Sequence, residues 1–287
     1  MRYRLPFILA LLWVLVAPAA PAAAQGGTLD KIRKTGVITM GYIEGSAPFS
    51  FSDASKQPQG YSVDLCRAIA SGIRAQLKLA SLETRWVLLT IQNRLEAVKS
   101  GRVDIECSTT TWTLGRQADV DFSLVTFVDG GSILTRAEAE AGRLTDFGGK
   151  RIAVITGTTT EKVLRETLAR RSIKAEVVTV RTRAAGLQLL DQRKVDGFAS
   201  DRIVLIGVVL TGKAQGTFKL LDEDFSIEPY ALPLPRGDAD FRLAVNRVLA
   251  GLYRTGGIEK IYNEWLGKLG PPSLLLSAAF FIQSLAE

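Results

Sequence analysis

Histidine is absent from all 287 residues. That removes the side chain whose charge changes most readily near neutral pH and the commonest general acid or base. Cysteine is scarce as well: only Cys66 and Cys107 occur, and with no histidine anywhere in the chain the usual cysteine–histidine and serine–histidine pairs are missing too. Neither a cofactor nor a metal is expected. Apolar runs long enough to span a bilayer are also lacking. Leu5 to Ala17 and Leu274 to Leu285 both fall short of the roughly 20 residues a spanning helix requires. Charge of one sign is nowhere concentrated. The formal charge is +7, yet acids sit among the bases at Asp30-Lys31, Glu161-Lys162, Arg165-Glu166 and Asp240 to Arg242, whereas a nucleic-acid surface gathers its positive charge on one face. No nucleic-acid partner is expected.

What is present is ordinary globular composition, 47% hydrophobic and 23% charged, in a chain long enough for one large or two average domains. Arg2 and Arg4, the apolar run, and then Ala22-Ala23-Ala24 before Gln25 follow the order of a secretory signal peptide. Residues 1–24 are read as that signal, cut after Ala24, with no cysteine there to carry a lipid. Loss of Arg2 and Arg4 takes the formal charge from +7 to +5. Export implies an oxidising compartment in which a disulfide persists. The sequence leaves open whether Cys66 and Cys107 approach closely enough to bridge or remain buried free thiols.

Beyond Thr28 the pattern alternates. Leu29 to Lys34 reads as a short helix stopped by Gly36, Val37 to Gly41 as a strand, and Glu44 to Phe51 as a turn-rich loop. Apolar residues at 65, 69, 73 and 77 give a helical face over Tyr61 to Leu77, followed by a strand at Thr84 to Leu89 and a helix at Asn93 to Ser100. A second cycle starts near Ile133, with strands at Ile152 to Ile155 and Val177 to Val180 and helices at Glu161 to Ala169 and Ala184 to Asp191. Helices are expected again at Asp240 to Tyr253 and Gly257 to Leu266, with the apolar tail as a docked helix. Such alternation is the mark of a layered α/β fold. Here it occurs twice, and strand ends of this kind are where open α/β sheets bind ligands.

Three stretches carry chemistry. A short strand, Val103 to Glu106, runs into hydroxyl residues at 108 to 111 and 113, and Arg116 follows. Hydroxyls and backbone N–H groups each give a carboxylate one hydrogen bond, and arginine's planar fork holds both oxygens under permanent charge. Thr109, Thr111 and Arg116 are therefore candidate carboxylate ligands; the alternative is a threonine-rich strand end with a solvated arginine. Thr156 to Glu161 lies between a strand and a helix, where free N–H groups and the helix dipole favour an anion. Thr158 with Glu161 also fits a capping box that needs no ligand. Asp201 ends an apolar strand, a costly place for a lone carboxylate, which suits it to an ammonium or to capping the next segment.

The run from Asp104 through Thr111 and Arg116 to Val120-Asp121-Phe122-Ser123 resembles the corresponding segment of periplasmic solute-binding proteins for polar amino acids, the receptors of ABC importers, and the likeness extends over nearly all of the chain beyond residue 28. Glu106-Cys107 with Arg116-Gln117 is similar to the glutamate/aspartate binders, and Thr110-Thr111-Trp112 to broad-specificity binders. The resemblance implies a two-lobed periplasmic-binding-protein fold of type II, with residues 25–132 and 231–287 in lobe I, residues 133–230 in lobe II, and hinge crossings near Gly131 to Leu134 and Pro229 to Leu232. It implies that Thr111 and Arg116 hold the α-carboxylate, that Thr158 and Thr159 reach it from the second lobe, and that Asp201 holds the α-amino group. Ile43, Arg94 and Arg183 then choose the side chain, the alternative for both arginines being a surface position at a helix start. Isoleucine at 43 replaces the arginine of strict dicarboxylate binders. Those binders also pair the cysteine matching Cys107 with one near position 232, which is leucine here. The implied protein is a monomeric periplasmic receptor, not an enzyme, that passes a polar amino acid (glutamate, glutamine, aspartate or asparagine) to an inner-membrane ABC permease. A lyase on the same fold, like cyclohexadienyl dehydratase, and a sensory module are the alternatives.

Overall fold

The computed structural model describes residues 27–211 and 216–286; the signal peptide read at 1–24 lies outside them. In chain order, α1 (Thr28–Thr35), β1 (Val37–Ile43), β2 (Phe51–Ser52), β3 (Pro58–Gln59), α2 (Tyr61–Gln76), β4 (Glu83–Leu89), α3 (Arg94–Lys99) and β5 (Ile105–Glu106) come first. The strands β4-β1-β5 form a parallel sheet, as expected when helices provide the crossovers. Cys66 on α2 is disulfide-bonded to Cys107 just after β5, with Cα atoms 6.2 Å apart, which settles the pairing in favour of a bridge.

Next comes β6 (Asp121–Arg136), a sixteen-residue strand that the sequence pattern does not reveal as continuous. After it come β7 (Arg151–Ile155), α4 (Thr159–Arg170), β8 (Glu176–Val180), α5 (Arg183–Asp191), β9 (Gly197–Asp201), α6 (Arg202–Thr211) and β10 (Phe218–Leu220). These strands make a second sheet in the order β10-β6-β9-β7-β8. The return strand β11 (Ser226–Leu234) lies antiparallel to β6, from Ser226 opposite Gly131 to Leu234 opposite Asp121. Helices α7 (Ala239–Thr255), α8 (Gly257–Leu266) and α9 (Leu274–Ile282) finish the chain.

The cores show where the two lobes part. Phe127 and Tyr230 are buried with α2, α7 and β1 residues such as Ile69, Leu249 and Met40, whereas Ile133 and Phe225 are buried with Ile152 and Leu164 of β7 and α4. The connecting strands therefore change core between Phe127 and Ile133 and between Phe225 and Tyr230. Glycine permits the close passage at this point: a Cβ on Gly130 would stand 2.5 Å from Asp224 Oδ2, and one on Gly131 would stand 2.4 Å from Ser226 Oγ.

Candidate ligand-binding cleft

Strand ends and helix starts from both sheets converge beside the crossing strands on a cavity of about 20 Å3. Arg94, Thr109, Thr111, Thr158, Thr159, Arg183 and Asp201 line it, together with Ile91, Thr160 and Ser200. Thus seven of the nine residues singled out in the sequence meet around one space. Both cavity arginines occupy the first position of a helix, yet they are only 5% (Arg94) and 8% (Arg183) exposed, so the surface alternative fails for each.

Arg183 donates from Nη1 to Ser46 Oγ at 2.8 Å, and its Nη2 lies 3.7 Å from Asp201 Oδ2. Its Nε is buried without a partner. Arg94 makes one long contact, Nη1 to the Thr109 carbonyl at 3.4 Å, which leaves most of its fork uncommitted. Thr109 Oγ1 is likewise buried and unpartnered, and an unpaired buried donor on the cavity wall calls for an explanation such as a guest. Burial pushes the Asp201 carboxyl up to about 6; Glu228 adds to the rise, and Arg183 and Arg94 oppose it. Burial also depresses the Arg183 guanidinium, partly offset by Asp201.

Two candidates lie elsewhere. Ile43 is 3% exposed and packs with Leu89, Val98 and Val103. It borders a separate space of about 350 Å3 that shares Ile91 and Arg183 with the cleft, because β1 ends there and its amide is fixed by Ser50 Oγ at 3.0 Å. Its side chain thus borders this neighbouring space and is not on the wall of the smaller cavity. Arg116 begins a short 3-10 turn and is not on the cavity wall; its Nη1 donates to the Thr111 carbonyl at 2.8 Å and so braces that loop from behind. Burial, and secondarily Arg94, lower its pKa to about 10, with Glu228, Glu106 and Asp201 acting the other way.

Thr158 is fully occupied as a cap. Its hydroxyl donates to the Ile155 carbonyl at 2.7 Å and accepts from Glu161 N at 3.0 Å. Half of the expected capping box forms; the Glu161 carboxylate accepts from Gly157 N at 2.9 Å rather than from the cap residue. The next amides, at the start of α4, have no carbonyl partner within the helix and border the cavity. Asp104, at the head of the hydroxyl-rich stretch, is structural: it pairs with Lys31 Nζ at 2.6 Å and accepts from Thr39 N.

Sequence reasoning missed Glu228. It is buried in β11 and accepts from Thr111 Oγ1 at 2.7 Å, Thr159 Oγ1 at 2.8 Å and Ser226 Oγ at 2.8 Å. The available signal was a lone charge in the apolar run Ser226 to Leu234. Asp129, opposite it on β6, was missed for the same reason. Burial, reinforced by Asp201, raises Asp129 well above the usual carboxylate range, while Gly130 N, Ile203 N and Tyr230 Oη donate to it.

Two cores joined by two crossing strands, with polar groups from both meeting in the seam, define a bilobal solute receptor. Residues 38–268 match the bacterial extracellular solute-binding proteins, family 3, and the chain belongs to that family. It is 31% identical over 270 residues to an L-glutamate/L-aspartate-binding protein of Pseudomonas aeruginosa, covering 93% of this chain and 89% of that protein. It is 30% identical over 257 residues to a glutamate/aspartate import solute-binding protein of Escherichia coli K12, covering 90% and 84%. Among solved structures, the ancestral amino acid-binding protein AncCDT-1, a precursor of cyclohexadienyl dehydratase, superposes with a TM-score of 0.72 at 26% identity, covering 84% of this chain and 99% of that one.

Proposed function

We propose that the protein is a periplasmic receptor that closes two lobes, residues 25–132 with 231–287 and residues 133–230, around a polar L-amino acid and delivers it to an inner-membrane ABC permease. The observation that carries this reading is the arrangement of opposite charges on one small buried cavity: a carboxylate, Asp201, faces arginines 94 and 183 and the hydroxyls of Thr109, Thr111 and Thr159. Such a wall suits a zwitterion, with the ammonium at Asp201 and the carboxylate at an arginine and the first amides of α4. Arg116 supports the carboxylate end by fixing the Thr111 loop and by its charge. Arg94, whose fork is largely uncommitted, is the group best placed to receive an oxygen of the ligand's side chain. The names of the relatives favour glutamate and aspartate; because the Arg94 fork can donate to an amide oxygen as well as to a carboxylate, their amides belong to the same range.

Ranking the twenty amino acids by thermal shift tests the reading, because a ligand bound only by the folded state raises the melting temperature, and at one concentration the shift grows with the logarithm of its affinity. Glutamate, aspartate and their amides should lead the ranking, and no shift with any amino acid would refute it. A second reading, a lyase, is favoured by one observation: a carboxylate whose pKa is raised to about 6 on a narrow cleft also suits a general acid or base. Turnover of prephenate or arogenate, followed by mass spectrometry, would establish that reading in place of the first.

A further inference from the structure

The cavity between the lobes has room for about one water, so an amino acid enters only if the walls part. Among the described residues, the polar contacts that join those walls include Arg183 to Ser46 Oγ, Gln92 Nε2 to the Arg181 carbonyl, and the hydroxyls of Thr111 and Thr159 on Glu228. The third is unlike the others. Both hydroxyls converge on one oxygen, Glu228 Oε2, at 2.7 and 2.8 Å, and lie 3.1 Å from each other. Glu228 is 1% exposed, and no lysine or arginine among the described residues forms an ion pair with it, so hydroxyls make its direct contacts and Arg116 acts on it only through space. A hydroxyl has a single proton. Thr111 and Thr159 each spend theirs on Glu228 and have none left for a ligand carboxylate.

The backbone shows which of these bonds closure makes. Thr111 is bridged to Tyr230, and Trp112 N donates to the Pro229 carbonyl at 2.7 Å, so β11 from Glu228 onward moves with the Thr111 loop, which sets the working boundary of the second lobe just before Glu228 rather than after residue 230. Ser226 lies on β11 itself. Thr159 is the first residue of α4, which packs on β7 and β9 of the second sheet and also meets β11 in this closed arrangement. When the lobes part, Thr159 is the member of the group that leaves.

We propose that Glu228 is an interlobe clasp, a positioning residue that holds the cleft shut by capturing Thr159 once the lobes meet. The proposal rests on the receptor reading for its kinetic consequence, though not for its geometry. A bond made only in the closed state slows release and leaves encounter nearly unchanged. Glu228→Gln, which keeps the shape and removes the charge, should therefore speed ligand release about 10- to 100-fold, the range expected for a hydrogen bond to a charged group, while association changes less than about threefold.

The test is stopped-flow measurement of both rate constants with L-glutamate and L-glutamine for wild type, Glu228→Gln, Thr159→Val and the double variant. The clasp predicts that Thr159→Val costs much less in the Glu228→Gln background than alone, and that Thr159→Ser restores wild-type release. Release unchanged in Glu228→Gln, or fully multiplicative losses in the double variant, would overturn it. If no amino acid binds, the receptor reading fails and the clasp is read separately. Nitroxides at Lys34→Cys and Lys194→Cys report the separation of the two sides by pulsed electron resonance with no ligand added. A broader, longer distribution in Glu228→Gln supports the clasp, and identical distributions refute it.

Discussion

If Asp201 receives the ligand's ammonium, binding must depend on pH in a way fixed by that carboxyl. Its pKa is about 6, raised by burial and by Glu228. An ammonium favours the ionised form, so the pKa falls on binding and the complex holds fewer protons at this group than the free protein. Affinity is then full above pH 6 and lost as the pH falls below it. With a pKa of about 6, the ionised fraction is about 0.9 at pH 7 and about 0.1 at pH 5, a roughly tenfold loss of affinity or about 1.4 kcal/mol. L-Glutamine is the suitable probe, because neither its α-amino nor its α-carboxyl group titrates in that interval. Calorimetric titration at half-unit steps from pH 5 to 7 should show the loss in the wild type. Asp201→Asn should bind about 10- to 100-fold more weakly at pH 7 and with a flat profile. A flat profile in the wild type, or the same slope in Asp201→Asn, would refute the assignment of the ammonium to this residue.

Arg116→Ala should weaken every amino acid ligand by about 3 kcal/mol or more, because it removes both the charge and the brace behind Thr111; near-normal affinity by calorimetry would remove Arg116 from the account. Opening the Cys66–Cys107 bridge, which spans 41 residues, should destabilise the fold by about 4 kcal/mol on loop-entropy grounds, visible as a lower urea midpoint for the Cys66→Ser/Cys107→Ser protein. Ile43→Arg should act on stability rather than on ligand choice, costing about 2 kcal/mol or more by placing a charge and extra volume in a packed core. A variant that melts like the wild type and prefers acids more strongly would return position 43 to the ligand's side chain.

The helices and most strands were legible because their apolar periodicity is local. Ile69 and Ile73 reach the core from α2, and Ile152 and Val154 from β7, as their spacing requires. The stretch 121–136 was not legible as one strand, because it changes core part-way and so shows no single alternation along its length. The cleft residues that stood out were those whose chemistry is costly in an apolar run, as with Asp201, or dense in hydroxyls, as with Thr109 and Thr111. Arg94 and Arg183 look like ordinary helix starts until the other lobe covers them. Which way Ile43 points was not legible because a strand end has two faces, and only the packing of Leu89 and Val103 shows which one it takes. Glu228 went unnoticed for a related reason: its partners Thr111 and Thr159 lie 117 and 69 residues away in the chain, and no local pattern announces them.

The central claim is that one cleft reads both ends of an α-amino acid. Calorimetric titration of L-glutamate beside glutarate, which lacks the ammonium, and γ-aminobutyrate, which lacks the α-carboxylate, tests it most directly. The account predicts binding of L-glutamate and at least about tenfold weaker binding of each analogue, since each leaves a buried charge of the cleft unpaired. Equal affinity for glutarate or γ-aminobutyrate would contradict it.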